Sequence, residues 1–350
     1  MQLKLQLIKR PPVSFTGLSL TNKGSSNRPT VRQTPSPFSI MVSKEIADHI
    51  RSWRLIVLMS LIVLTFVTAM YVSLSNIGAA TGNLSDPDHT FLYLKLLTAT
   101  DKVVPPFHVF ISFLGPLLGI SLGFDAVNRE QSSGTLARIM AQPVYRDNLL
   151  LSKFVSAGLV VTVFFTSLIL LMVGGGLFFT GVRMEPQEAL RIFAFTAFSI
   201  LYVAFWLALS IHLSVRFRQA ATAALTAIGI WIFLTVFYQL LIKLLVRAIL
   251  PANPEILPSE QLIWYENMIL NLLRIAPGQL YTDATTTLLI PSVRSLGPVT
   301  MEEMAGAVPA PLPFRESLMI IWPQVSGLLA ATTVCFAWTY YLFMRREIRS

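Results

Sequence analysis

The sequence predicts an all-α, polytopic membrane protein, because both its composition and the lengths of its apolar blocks differ from those of soluble domains. Hydrophobic residues make up 54% of the 350 positions and charged residues only 13%, against about 25% charged residues in an ordinary soluble domain. The apolar blocks have the length that a bilayer requires, about 20 residues of helix. Six transmembrane helices are predicted, at about residues 53–75, 106–124, 152–180, 190–214, 220–246 and 317–343.

Residues 1–40 differ from the rest of the chain. They are rich in Ser, Thr, Pro, Lys and Arg, and they contain no acidic residue. No apolar run among them is long enough for the core of a signal peptide. This composition is typical of a disordered tail, or these residues precede a working start at Met41; a targeting role is the remaining alternative. The membrane domain is predicted over residues 41–345.

A short amphipathic helix is predicted immediately before the first span. Ser43 is placed to cap its N-terminus, and Glu45 suits its first turn. Apolar residues follow on one face at helical spacing, at Ile46, Ile50 and Trp53. Such a helix lies in the interface between the lipid headgroups and water.

Basic residues near the span ends predict the orientation of the chain, since cytoplasmic loops carry an excess of Lys and Arg. One set of ends is rich in them: Lys44, Arg51, Arg54, Arg129, Arg138, Arg146, Lys153, Arg216, Arg218, Arg345, Arg346 and Arg349. The opposite set has Lys95, Lys102, Arg183 and Arg191. Both termini and the segment 125–151 are therefore predicted to face the cytoplasm, in a cell inner (plasma) membrane. Lys243 and Arg247, near the outer end of the fifth span, are an exception, and they either snorkel to the headgroups or mark a polar cavity.

The outer loop between the fifth and sixth spans, about residues 247–316, is not uniformly polar. Residues 260–275 are apolar enough to form a helix that lies in the interface or dips back into the membrane. A second helix is predicted over residues 278–289, before Pro291. These helices either cap a translocation path from outside or simply cover the outer ends of the spans.

Motifs that would indicate an enzyme are scarce. The sequence has no phosphate-binding GxxxxGK[ST] loop and no HExxH motif, and its histidines are scattered without a second metal ligand at helical spacing. No metal site is therefore predicted, and the single cysteine, Cys335, excludes an intrachain disulfide. The net charge of +9 does not indicate nucleic-acid binding, because the basic residues lie at the span ends instead of forming one face.

The segment 123–153, GFDAVNREQSSGTLARIMAQPVYRDNLLLSK, is a polar stretch between two apolar blocks. Ser132 and Ser133 are placed to cap a short helix, Pro143 to end it, and Asp147 to cap the helix of the third span. The short helix carries apolar residues on one face, at i, i+3 and i+4: Leu136, Ile139 and Met140. By pattern alone it either docks onto a partner or is a solvated helix that stabilises a hairpin.

The same string resembles the motif of type-2 ATP-binding-cassette (ABC) exporter permeases, including the NosY-like branch. In that family an acidic residue, R-E, G-T-L, P-x-x-R and a lysine follow the second span. The matching positions are Asp125, Arg129, Glu130, Gly134, Thr135, Leu136, Pro143, Arg146 and Lys153. Two further stretches, MVSKEIADHIRSWRLIVL and LLRIAPGQLYTDATTTLLIP, are similar to the family's interfacial helix and outer-loop motif. They match at Glu45 and Arg51, and at Arg274, Pro277, Tyr281, Ala284 and Pro291.

The resemblance implies the permease subunit of an ABC transporter, an exporter, with no catalytic residue of its own. Residues 129–142 would form a coupling helix, which inserts Leu136, Ile139 and Met140 into a groove on a separate ATPase subunit. ATP and magnesium would bind to that ATPase, and no cofactor to this chain. A second permease chain, identical or paralogous, and the lipid bilayer are the other expected partners.

Two alternatives to a transporter subunit stay open at this point. A membrane scaffold or assembly factor, for example in copper-enzyme maturation, would use the same ATPase without bulk transport of a substrate. An intramembrane enzyme is the other alternative, and the absence of paired polar residues in the spans disfavours it.

Overall fold

The all-α prediction is confirmed by a computed structural model, which describes residues 36–79, 91–98, 105–135, 145–249, 259–293, 295–297 and 311–345. Within these ranges the chain forms helices and connecting loops but no β-strand. The helices are α1 (Pro37–Ile50), α2 (Trp53–Ala79), α3 (Leu92–Thr98), α4 (Phe107–Gly123), α5 (Asn128–Ser132), α6 (Arg146–Thr180), α7 (Pro186–Arg216), α8 (Ala220–Ile232), α9 (Tyr238–Ile249), α10 (Ser259–Leu273), α11 (Pro277–Leu289) and α12 (Phe314–Arg345). A π-helical turn, Phe233–Phe237, joins α8 to α9 in one continuous fifth span.

Six helical stretches in the described ranges are long and apolar enough to cross a membrane, as the sequence predicts. They are Trp53–Ser75, Phe107–Ser132, Arg146–Thr180, Pro186–Arg216, Ala220–Ala248 and Phe314–Arg345. Several begin before the predicted apolar blocks, because a polar first turn is helical too. In α7, Pro186 is the first helical residue, and Glu185 and Glu188 form a capping box around it.

The interfacial helix α1 begins earlier than predicted. Its first residue is Pro37, and the Ser36 hydroxyl accepts a hydrogen bond from the Ser39 N–H at 3.3 Å. The prediction that Ser43 caps this helix is therefore wrong, and Glu45 lies in its second half. Residues 37–40 belong to α1, whereas the prediction for residues 1–35 lies outside the described part of the chain.

The closest helix pair is α4 with α7. A Cβ atom built on Gly119 would lie 2.7 Å from the Val203 carbonyl oxygen and 2.9 Å from Trp206 Cβ, and Gly123 is similarly close to the α7 backbone. The two backbones therefore touch, as small residues at four-residue spacing allow in membranes. Residues 119–123 also spell GxSxG, a hydrolase nucleophile motif, but they lie within a helix and not at the strand-to-helix turn that the motif requires.

Helices α10 and α11 of the outer loop form close to where they are predicted, and α11 runs deep inside the bundle. The Tyr281 ring stacks on Tyr202 of α7 with 4.4 Å between the ring centroids, and its hydroxyl lies 2.9 Å from Ser199 Oγ. At 1.5 Å per residue, Tyr202 is about 24 Å from the start of α7. The N-terminal end of α11 thus reaches the middle of α7, which favours a segment that dips back between the spans.

The predicted outer-loop residues lie at the ends of this α10–α11 hairpin. Arg274, just after α10, pairs with Asp283 of α11 through a 3.0 Å contact. Pro277 is the first residue of α11. The Pro291 carbonyl accepts a hydrogen bond from the Leu312 N–H at 3.0 Å. These residues therefore hold the hairpin together and connect it to the start of α12.

Arg191 holds the other end of α11. Its side chain is fully buried and donates hydrogen bonds to the backbone carbonyls of Leu288 (2.9 Å) and Leu312. Within the described ranges no carboxylate pairs with it, so these carbonyls are its partners. The sequence counts Arg191 among the basic residues near the span ends, and the structure places it in the second turn of α7, which begins at Pro186.

We expect Arg191→Met to destabilise the protein by about 2–3 kcal/mol, because it removes two charged hydrogen bonds to buried carbonyls. Thermal unfolding in detergent, followed by tryptophan fluorescence, should show a Tm several degrees below that of the parent. Arg183→Met is the matched control, since Arg183 is exposed in the loop before α7. Equal Tm values for the two variants would contradict this role for Arg191.

Candidate functional site

Three ionisable side chains meet where α1, α5 and the start of α6 come together. Lys153 Nζ lies 2.8 Å from Glu130 Oε1 and 3.2 Å from Glu45 Oε1. Only 4% of the Lys153 side chain is exposed, and both carboxylates are largely buried. We call Glu45, Glu130 and Lys153 the charge cluster. One buried cation thus connects α5 and α6 to α1, which is distant from both in sequence.

Lys44 extends the charge cluster to the surface of α1. Its Nζ lies 3.3 Å from Glu45 Oε1, and its side chain is 57% exposed. Burial alone would raise the pKa of Glu45, but the positive charges of Lys153 and Lys44 outweigh burial and lower it. Glu45 is therefore a carboxylate at neutral pH, as the buried Lys153 requires.

A second ion pair connects the start of α2 to the turn between α4 and α5. Arg54 Nη2 lies 2.6 Å from Asp125 Oδ2, and the Arg54 guanidinium stacks over the Phe124 ring at 4.6 Å from its centroid. The sequence places both charges near span ends but does not pair them. Ion pairs therefore connect α1, α5 and α6 to one another, and α2 to the turn before α5, at one side of the bundle.

The two ion-pair groups line one cavity of about 350 Å³. Its walls carry both signs of charge: Lys44, Arg54, Arg129 and Lys153 face Glu45, Asp48, Asp125 and Glu130. We call this side of the bundle the α1 side, and the opposite ends of the spans the far side. The mixed charges fit a mechanical connection between helices better than a site for one charged ligand.

The structure corrects the prediction for the start of the coupling helix. The Ser132 and Ser133 hydroxyls both donate to the Arg129 carbonyl, at 3.1 and 2.8 Å, so they close the C-terminus of α5 and do not cap a following helix. Gly134 then has a left-handed backbone with φ +67°, a conformation that favours glycine. An unbroken helix over residues 129–142 is therefore wrong, because the chain turns at Gly134.

The predicted apolar docking face belongs to the part of the segment after Thr135. Leu136, Ile139, Met140 and Pro143 lie outside the described residues. Thr135, which is helical, donates a hydrogen bond from its hydroxyl to the Glu130 carbonyl at 3.3 Å. The described part of the segment therefore ends directly beside the charge cluster.

Three predicted basic residues remain outside the cluster. Arg51, Arg129 and Arg146 are exposed and form no ion pair within the described ranges. Arg146 is the first residue of α6, with Tyr145 in the N-cap position. The prediction that Asp147 caps this helix is wrong, because Asp147 lies within its first turn and accepts a hydrogen bond from the neighbouring Asn148 N–H.

Comparison with known proteins decides the family. The family model described as ABC-2 family transporter protein matches residues 40–348, which includes most of α1, the charge cluster and all six candidate spans. The chain belongs to the ABC-2 transporter family. This membership confirms the resemblance and makes the chain a multi-pass transmembrane subunit of an ABC transporter, whose family implies an ABC ATPase partner.

Two relatives of this ABC-2 chain carry the same name, "Probable ABC transporter permease protein NosY". The protein from Stutzerimonas stutzeri is 27% identical over 308 residues, which is 87% of this chain and 96% of the relative. The protein from Pseudomonas aeruginosa is 28% identical over 222 residues, 61% of this chain and 73% of the relative. The predicted NosY-like branch is therefore supported.

Lys153, the central residue of the charge cluster, could be recognised from the sequence of this ABC-2 chain. It lies at the start of the predicted third span, shortly after the apolar residues 149–151. An ionisable residue inside a membrane helix indicates a buried partner. The family motif includes Lys153, but the residue pattern does not indicate which side chains it contacts. The partner Glu45 lies in another helix before the first span, and this pairing is not readable from spacing.

We expect acid to weaken the charge cluster of this ABC-2 permease. The pKa of Glu45 lies below its usual 4.5, so its stabilising charge is fully present above about pH 4.5 and is lost as pH falls through the lowered pKa. Glu45→Gln should lower the Tm by a few degrees at pH 7, and the difference from the parent should shrink below pH 4. A constant difference at every pH would contradict this.

Proposed function

We propose that this chain is the permease subunit of an ABC exporter, which moves its substrate outward when a separate ATPase subunit hydrolyses ATP. The ATPase carries the ATP and the magnesium, and it docks on residues 129–142 at the α1 side. Support comes from the ABC-2 family match and from the two relatives named as permeases.

The charge cluster is the observation that carries this proposal. A docked ATPase would push on the chain after Gly134, and Glu130 of α5 is bonded to Lys153 at the start of α6. Lys153 passes the displacement to α1 through Glu45. The Arg54–Asp125 ion pair connects the turn before α5 to α2. Helices connected in this way move as a body, which fits a switch between two packings of the spans.

The orientation supports docking from the cytoplasm. The α1 side carries the charged cavity and most of the basic span ends, as the excess of Lys and Arg in cytoplasmic loops predicts. We therefore place both termini in the cytoplasm and the α10–α11 hairpin on the outer side of the plasma membrane.

A second permease chain fits the exposure of the fifth span. Only 11% of its apolar window is buried inside the chain, and many of its large side chains are exposed, including Leu225, Val236 and Leu240. A six-span bundle supplies half of a path between two chains, and closed two-fold pairs are the commonest assemblies. The partner is a second copy or a paralogue.

Docking is tested by Leu136→Asp, which puts a charge into the predicted apolar face. We expect the co-purified ATPase to fall at least tenfold, because burying an unpaired carboxylate at an interface is unfavourable. Val182→Asp is the matched control, since Val182 is exposed in the loop at the far side and should keep the ATPase bound.

Unchanged ATPase binding and hydrolysis in Leu136→Asp would overturn docking at this segment. Substrate flux in liposomes separates an exporter from a scaffold. A complex whose ATP hydrolysis depends on the permease, but whose liposomes accumulate no solute from a cell extract, would favour the assembly factor.

A further inference from the structure

The fifth span carries a polar stripe on an otherwise apolar helix. Its members recur at four-residue intervals and line one wall of the same groove: Thr235, Gln239, Lys243 and Arg247. At 1.5 Å per residue, the stripe extends about 18 Å along the helix. The fifth span starts at the α1 side, because the preceding α7 ends where Ser214 accepts a hydrogen bond from the Val127 N–H at 3.0 Å. The two cations therefore lie toward the far side.

The groove between α9 and α10 measures about 610 Å³. The polar stripe forms one side, and apolar residues form the rest: Val236, Leu240, Leu244, Val246 and Ile269. Lys243 and Arg247 are exposed, whereas Thr235 and Gln239 are half-buried. Polar groups thus follow one another from the middle of the span to its far end.

Two like charges one turn apart in this place are unfavourable without an anion. In the part of the chain that the structure describes, neither Lys243 nor Arg247 has a carboxylate within ion-pair distance. At 1.5 Å per residue, Lys243 lies about 35 Å from Ala220, the start of the fifth span, so both cations lie at the far edge of a hydrocarbon core of about 30 Å. Charges in this place favour water or an anionic partner. Two neighbouring cations beside apolar walls also concentrate anions from solution.

Binding to lipid headgroups explains only part of the stripe. Lys243 and Arg247 could reach the headgroups at the far side. Thr235 and Gln239 lie one to three turns deeper, where a lipid offers acyl chains and leaves their polar groups without hydrogen bonds. A hydrated solute at this face accounts for all four residues.

We propose that Thr235, Gln239, Lys243 and Arg247 line a water-accessible route for an anionic solute, with the two cations at its far end. This inference rests on the proposed transport function and assigns its substrate class. The opposite wall of the route comes from the second permease chain, since this face is open in the single chain.

Charge-selective labelling tests the route without a known substrate or the ATPase. The full chain with Cys335→Ser and Gln239→Cys, in phosphatidylcholine liposomes, is treated with anionic sulfonatoethyl methanethiosulfonate or cationic trimethylammonioethyl methanethiosulfonate. Rates are normalised to those of Val182→Cys, exposed at the far side, in the same liposomes, because an anionic membrane surface by itself repels one reagent and attracts the other. We expect the anionic reagent to react about tenfold faster than the cationic one, because two nearby positive charges act oppositely on the two reagents.

Two variants control this measurement. Leu241→Cys lies on another face of the same helix at nearly the same depth, and it should react slowly with both reagents. Lys243→Gln with Arg247→Gln, added to Gln239→Cys, should bring the ratio of the two rates close to one. If Gln239→Cys is as unreactive as Leu241→Cys, the proposed route is refuted. It is also refuted if replacing the two cations does not change the ratio of the two rates.

Liposomes that contain an anionic lipid distinguish binding of a dissolved anion from binding of a lipid headgroup. Adding phosphatidylglycerol to the liposomes should leave the preference of Gln239→Cys for the anionic reagent in place. A preference that disappears in these liposomes would mean that headgroups occupy Lys243 and Arg247, and the proposal would fail. Because the labelling needs neither ATP nor transport, its outcome is independent of the docking test above.

Discussion

Lys153→Met should destabilise the protein by about 3–5 kcal/mol, because it removes the buried cation and leaves two buried carboxylates with only the exposed Lys44 beside them. Glu130 and Glu45 lie 2.8 and 3.2 Å from the Lys153 ammonium, so both lose a partner in one change. Lys44→Met is the matched control: its side chain is 57% exposed, and loss of an exposed ion pair costs at most about 1 kcal/mol. Thermal unfolding in detergent measures both.

A triple variant separates stability from transmission. Lys153→Met, Glu45→Gln and Glu130→Gln together remove every charge of the cluster, and such neutral replacements often restore stability. We expect the triple variant to fold and to keep the ATPase bound, but to lose the coupling between ATP hydrolysis and movement of the spans. If Lys153→Met alone were as stable as the parent, the buried pairing of Lys153 with Glu45 and Glu130 would be contradicted.

Gly119→Val should be strongly destabilising. The first added carbon would lie 2.7 Å from the Val203 carbonyl oxygen and 2.9 Å from the Leu207 nitrogen, so the backbones of α4 and α7 must separate. Overpacking usually costs about 1–3 kcal/mol, and contact with a rigid backbone places this site at or above the upper limit. We expect little folded protein after membrane extraction, measured by gel filtration in detergent.

Gly158→Val and Gly229→Val are the controls for this change. Each lies in a membrane helix, and a Cβ atom on either would meet no atom within 4 Å. They should therefore give a parent-like gel-filtration peak. If Gly119→Val also gave such a peak with an unchanged Tm, direct packing of the α4 and α7 backbones would be refuted.

Hydropathy predicts the spans well, because burial in lipid demands apolar helices of a fixed length. It misses their ends, since the first turn of a span can be polar: Glu188 is charged but helical, and Glu185 caps the same helix from outside it. The early start of α1 was readable, because Ser36 followed by Pro37 is a usual N-cap and first helical residue. The glycine repeat at four-residue spacing in α4, Gly115, Gly119 and Gly123, was readable too.

The charge cluster could be predicted only in part. The motif identifies Glu130 and Lys153 as characteristic residues, and the interfacial helix supplies Glu45. Their meeting depends on how α1 packs along α6, which one sequence does not specify. The partners of Arg191 could not be predicted for a related reason: they are backbone carbonyls of α11 and of the loop before α12, and no side-chain pattern reports them.

Movement of α6 on ATP binding tests the central claim, that the charge cluster carries motion from the ATPase to the spans. Spin labels on Phe178→Cys, at the exposed far end of α6, in the Cys335→Ser background, report the distance between the two permease chains by pulsed electron paramagnetic resonance. Trapping the ATPase with ATP and orthovanadate should shift that distance by several ångströms in the parent. The triple variant should show no shift while its ATPase remains bound. An equal shift in the triple variant would contradict the claim.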